Sequence, residues 1–94
     1  MQSSEPSVIR NDNRSRFELE QNGAIAFANY IPAPGVVTVT HTEVPREMRE
    51  GGVGTKLVLG MLDDIRARGE KLRPLCSFVR HVIAQHPDYA DLVA

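Results

Sequence analysis

An α+β fold is predicted, with a mostly antiparallel sheet followed by a β-α-β-α unit. Three observations predict it. Apolar and polar side chains alternate through residues 14–21 and 36–44, the period of a half-buried strand. Asn22-Gly23 stands between two such segments. It is the strongest short hairpin signal, because a type I′ turn needs positive φ at both central positions. Val53, Leu57, Met61 and Ile65 then recur every four residues, which marks one face of a helix.

The elements follow in order. Residues 1–7 are polar and read as disordered. Residues 8–10 form a short strand, and Asn11, Asp12 and Asn13 a turn. Residues 14–21 form a strand with Phe17 and Leu19 on one face and Arg16, Glu18 and Glu20 on the other. Residues 24–31 return antiparallel to it, until the Pro-Ala-Pro-Gly segment at 32–35 breaks the strand. In residues 36–44, Val37, Val39, His41 and Glu43 share one face, and Val36, Thr38, Thr40, Thr42 and Val44 the other. A helix is expected over 52–68, with Arg66 and Arg68 suiting its C-terminal dipole and Gly69 its C′ position. Residues 72–75 read as a short buried strand. Ser77 is placed to cap a second helix running to residue 85, with Phe78, Val79, Val82 and Ile83 on its apolar side. Pro87 stops it, and residues 88–93 form a packed tail. Strand 36–44, the long helix and strand 72–75 make a right-handed β-α-β unit with parallel strands.

Composition narrows the function classes. Ninety-four residues suit one small domain with a modest core. The net charge of −1 and the lack of Trp give no electrostatic case for nucleic acid or an anionic membrane. The longest apolar run, residues 57–62, is too short to span a bilayer, and residues 1–13 lack the apolar centre of a signal peptide. Cys76 stands alone, so no intrachain disulfide can form. A monomer in a reducing cytoplasm is the expectation. One Cys and three scattered His give no metal-ligand spacing.

The junction between strand 36–44 and the long helix carries the functional signal. It reads Val44-Pro45-Arg46-Glu47-Met48-Arg49-Glu50-Gly51-Gly52-Val53-Gly54-Thr55-Lys56. Glycines at a helix N-terminus expose backbone N–H groups at the positive end of the dipole, and such a turn holds phosphates. A Walker A loop is excluded because Thr55 precedes Lys56. A dinucleotide fingerprint is excluded because Leu57 occupies its third glycine position. The pattern Arg49-x-x-Gly52-x-Gly54 remains. An ordinary tight β-to-α turn also accounts for these glycines.

That pattern resembles the pyrophosphate loop of the GNAT N-acetyltransferase superfamily. With His41-Thr42-x-Val44-Pro45 before it, and Pro74-x-Cys76-Ser77-Phe78-Val79 and His86-Pro87-x-Tyr89 after it, the chain resembles the minimal GNAT-like group with a YjdJ-type acetyltransferase domain. The resemblance runs from about Phe17 onward. It implies a GNAT-like (acyl-CoA N-acyltransferase) fold, acetyl-CoA or coenzyme A as cofactor, and an amine acceptor, such as a protein or peptide amine. It implies that Met48, Arg49, Glu50, Gly51, Gly52, Val53, Gly54, Thr55 and Lys56 surround the pyrophosphate. Thr42 and Val44 lie where the strand end pairs with the pantetheine arm, as an added strand does. Gly52 and Gly54 let the phosphates approach the backbone. Glu50 departs from the family pattern, since many relatives carry glycine there, and a carboxylate beside a pyrophosphate is unfavourable unless it points outward.

Cys76 is the candidate for the chemistry. A position before a helix N-terminus lowers a thiol pKa. Its thiol can take the acetyl group covalently or line the thioester pocket while the amine attacks directly; a lone Cys is also often a small buried hydrophobe. His41 is the candidate general base, for the amine or for Cys76, with a partly buried histidine on the Val37–Val39 face as the plainer reading. Tyr89 is a candidate proton donor or a packing residue of the tail. Asp63 and Asp64 read as a solvated helix face. A non-catalytic coenzyme A-binding module is the alternative function, and a redox-sensing thiol protein a third.

Overall fold

The computed structural model describes residues 7–94. Of the predicted disordered start, residues 1–6 lie outside this range, and Ser7 is exposed and in no regular element. The sheet holds β1 (Val8–Asn11), β2 (Arg16–Gln21), β3 (Ala24–Ala33), β4 (Val36–Glu43) and β5 (Lys71–Pro74) in that order. The first three pairings are antiparallel and β4–β5 is parallel. A 3₁₀ turn (Arg46–Met48) precedes α1 (Val53–Ala67), α2 (Ser77–Gln85) follows β5, and a second 3₁₀ segment (Pro87–Leu92) ends the chain. No helix among the described residues is long and apolar enough to cross a membrane.

The hairpin forms as its residues dictate. Gln21 pairs with Ala24, and Asn22 and Gly23 take φ of 54° and 84°. β2 begins at Arg16 rather than residue 14, because Asn11 Oδ1 and Asn11 O both accept from the Arg14 N–H and extend the turn. β3 runs two residues into the Pro-Ala-Pro-Gly segment. Pro32 pairs with Val37 and Ala33 with Val36, leaving Pro34-Gly35 as the turn. Pro32 is tolerated because β2 pairs with β3 only as far as Asn29, so β3 is an edge strand there.

One irregularity repositions the site. Asn29 pairs with His41, but Tyr30 pairs with Val39, so Thr40 is an extra residue in β4. A bulge of this kind reverses the alternation beyond it. Val37 and Val39 are buried, and Thr42 then joins their side, opposite buried Ala28. His41 is carried to the other face with Asn29, which corrects the expectation that it shares a face with Val37 and Val39.

The core is a single cluster against one face of the sheet. Phe17, Leu19, Ala28, Tyr30, Val39 and Leu72 meet Leu57, Met61, Leu62 and Ile65 of α1 and Val79 and Val82 of α2. α1 contacts every strand and also α2. Its fit over β1 is close: a Cβ on Gly60 would stand 2.3 Å from Val8 Cγ2. Arg10 ties β1 down electrostatically. Its side chain is 8% exposed and binds Glu70 at 2.8 Å, with Asp12 and Asp64 within 3.5 Å.

Candidate functional site

The glycine turn between β4 and α1 is built by backbone conformation. Gly51 and Gly52 take φ of 84° and 73°, the left-handed region that costs other residues energy. Gly52 is the N-cap of α1 and no side chain caps it. The first helical bond runs from the Lys56 N–H to Gly52 O. The N–H groups of Val53, Gly54 and Thr55 therefore lack intrahelical partners. The first turn carries no acidic residue to neutralise the dipole. Glu50 is exposed, and buried Met48 anchors the approach to the turn.

Two predicted residues have more local duties than expected. Arg49 Nε donates to Val44 O at 3.0 Å, so its side chain braces the two sides of the 3₁₀ turn. A Cβ on Gly54 would meet Phe78 Cζ at 3.0 Å and Val44 Cγ2 at 3.4 Å. The protein's own packing therefore accounts for glycine at 54. Gly51 and Gly52 have open space around them and need glycine for their φ.

β4 outruns its parallel neighbour. Its ladder with β5 ends at Val39↔Pro74, while β4 continues to Glu43. The N–H groups of Leu75 and Cys76 both donate to Val39 O, at 3.0 and 3.2 Å, and the chain then turns into α2. The edge of β4 beyond Thr40 is therefore left without a strand on that side. Such an edge accepts an extended ligand through main-chain hydrogen bonds.

Cys76 faces this gap. It is the N-cap residue of α2, and its Sγ lies 3.5 Å from Thr42 Oγ1. Ser77, expected as the cap, is the first helical residue. Partial burial pushes the thiol pKa up, but the Thr42 hydroxyl and the N–H groups of Val79 and Phe78 outweigh it, so the thiol sits below its ordinary value. The sequence places Thr42 only on the ligand-pairing edge and gives no sign of this contact, because the Thr40 bulge that turns Thr42 inward leaves no mark in it.

His41 lies elsewhere. Its ring is 58% exposed, and Nε2 meets Glu43 Oε1 at 2.9 Å on the face opposite Thr42. The Tyr89 hydroxyl donates to Asp63 Oδ1 at 2.6 Å, which raises its pKa and holds it against α1. Asp63 and Asp64 are thus partners of Tyr89, Arg68 and Arg10 rather than a merely solvated face. A cavity of about 380 Å³ lies between the β2–β3 turn and the first 3₁₀ turn, and Met48 is the one predicted site residue that lines it.

Comparison with known proteins places the chain in a family. No curated protein matches the sequence. The fold is similar to the NMR structure of a GCN5-like protein from Staphylococcus aureus, with a TM-score of 0.69 over 98% of this chain and 91% of that one, at 24% identity. Residues 16–92, from β2 to the end of the second 3₁₀ segment, match the family described as GCN5-related N-acetyl-transferase. The chain belongs to the GCN5-related N-acetyltransferase family.

Proposed function

We propose that this acetyltransferase draws its acetyl group from acetyl-CoA and delivers it to an amine through Cys76. The observation that carries the reading is a coincidence at the end of β4. An unpaired strand edge, an uncapped helix N-terminus and a thiol of depressed pKa adjoin the same few residues.

The residues fit coenzyme A. The N–H groups of Gly52, Val53, Gly54 and Thr55 suit a pyrophosphate, helped by the α1 dipole. The Thr42–Val44 edge suits the amide-bearing pantetheine arm. When bound, the thioester supplies an acetyl group activated for transfer to a nucleophile. Cys76 is the nucleophile in this proposal, since a lowered pKa enlarges its thiolate fraction at neutral pH; it takes the acetyl group as coenzyme A leaves as a thiolate, and the neutral amine then takes the acetyl group from the sulfur, returning the Cys76 thiolate and releasing a proton. Thr42 holds the sulfur by its hydroxyl. His41, paired with Glu43 along β4 on the face away from Thr42, is in this proposal a base for the incoming amine rather than for the thiol. Partial exposure of Cys76 suits an acceptor amine carried on a protein or peptide.

Labelled acetyl-CoA with intact-mass detection tests the proposal. Wild type is expected to gain one acetyl group, Cys76→Ala none, and an amine panel to discharge the label. A gain that survives Cys76→Ala removes the thiol from the reaction. Binding without turnover on any amine favours a coenzyme A-binding module instead.

A further inference from the structure

The turn that carries Cys76 has an unusual support. β5 stops pairing at Pro74, and backbone groups beyond that point need partners outside the ladder. Two N–H groups, of Leu75 and Cys76, share one acceptor, Val39 O. Two carbonyls, of Pro74 and Leu75, share one donor, Arg80 Nη1, at 3.0 and 2.9 Å. Arg80 stands in α2, and its own N–H donates to Cys76 O at 3.2 Å. No packed side chain at Leu75 secures this turn, since that residue is 58% exposed. The segment is held by Val39 on one side and Arg80 on the other, with Cys76 beside both.

We infer that Arg80 is a positioning residue: its guanidinium fixes the β5–α2 turn and so keeps the Cys76 sulfur at the start of α2 and beside Thr42. The inference rests on the proposed role of Cys76 for its catalytic consequence, but not for its effect on the thiol. Both side-chain bonds leave from a single nitrogen, so a lysine ammonium, with three donors on one atom, can replace them. A methionine of similar length cannot. Arg80 is exposed, so neither change disturbs the core.

The test compares the wild-type chain with Arg80→Met and Arg80→Lys. Iodoacetamide alkylation of Cys76 is followed by intact mass across pH, and kcat and KM for acetyl-CoA are measured on one amine. Arg80→Met is expected to move the alkylation profile to higher pH, to slow alkylation at neutral pH several-fold, and to lower kcat with KM unchanged. Arg80→Lys is expected to track wild type. Superimposable profiles for wild type and Arg80→Met, or an Arg80→Lys variant as impaired as Arg80→Met, overturn the inference. If no amine is acetylated by wild type, the acyl-transfer reading fails on its own and the alkylation profiles still decide the role of Arg80.

Discussion

The Cys76 sulfur and the Thr42 hydroxyl lie 3.5 Å apart, where β5 has ended and β4 continues. The contact depends on the Thr40 bulge, which turns Thr42 toward the thiol and His41 away from it. Thr42→Val keeps the shape of the side chain and removes the oxygen. The Cys76 pKa is expected to rise toward the ordinary thiol value, because a hydrogen bond that favours the charged form is lost. The pH at which alkylation reaches half its maximal rate moves upward in step. The sign for stability follows from the same depression. A thiol with a lower pKa in the folded state stabilises the fold above its unfolded pKa, and this contribution is lost as pH falls through the folded value.

Gly51 and Gly52 carry the left-handed turn, so alanine at either is expected to cost about 1–2 kcal/mol of stability. The same substitutions distort the N–H groups that precede α1 and are expected to weaken coenzyme A binding. Thermal unfolding and a calorimetric titration read the two effects. Full coenzyme A affinity in Gly52→Ala contradicts the assignment of this turn.

Gly60 lies under Val8, and an added methyl meets Val8 carbons at 2.3 and 2.7 Å. Alanine ordinarily favours a helix over glycine by about 1 kcal/mol. Overpacking typically costs about 1–3 kcal/mol. With contacts this short, the second effect is expected to win. Chemical denaturation of Gly60→Ala checks the sign. Combining it with Val8→Ala is expected to cost less than the sum of the two single changes, because their conflict is removed.

Glu18 accepts from Arg16 Nε at 2.6 Å, and chiefly this bond holds its carboxyl below the usual range, with Asn11 assisting. A carboxylate depressed in the folded state contributes stability above its unfolded pKa, about 4.3 for Glu, and loses that contribution as pH falls through the lower folded value. Thermal midpoints are therefore expected to drop on acidification below roughly pH 4.5. Arg16→Gln is expected to reduce the slope of that drop while leaving the fold intact. An unchanged slope removes Glu18 from the acid response.

The sequence carries the fold through local rules, and the site only in part. Phe17 and Leu19 alternate with charges, and Asn22-Gly23 admits one turn type, so strand faces and hairpin are readable without tertiary information. Val53, Leu57, Met61 and Ile65 fix the buried side of α1 in the same way. His41 defeats the period-two rule because the extra residue, Thr40, sits in a Thr-His-Thr run with no glycine or proline to mark a bulge. Gly54 looks like a ligand glycine by spacing, but its neighbour is Phe78, which only the packing of α2 on α1 brings near. Arg80 gives no sign in the sequence, because its partners are two carbonyls freed where β5 stops pairing.

Coenzyme A binding by the end of β4 and the start of α1 is central to the proposed function. Amide NMR shifts during a coenzyme A titration test this most directly. The largest changes are predicted at Arg49 to Lys56, with accompanying changes at Thr42, Val44 and Cys76 along the open edge. Saturating coenzyme A that leaves Arg49 to Lys56 unmoved would contradict it.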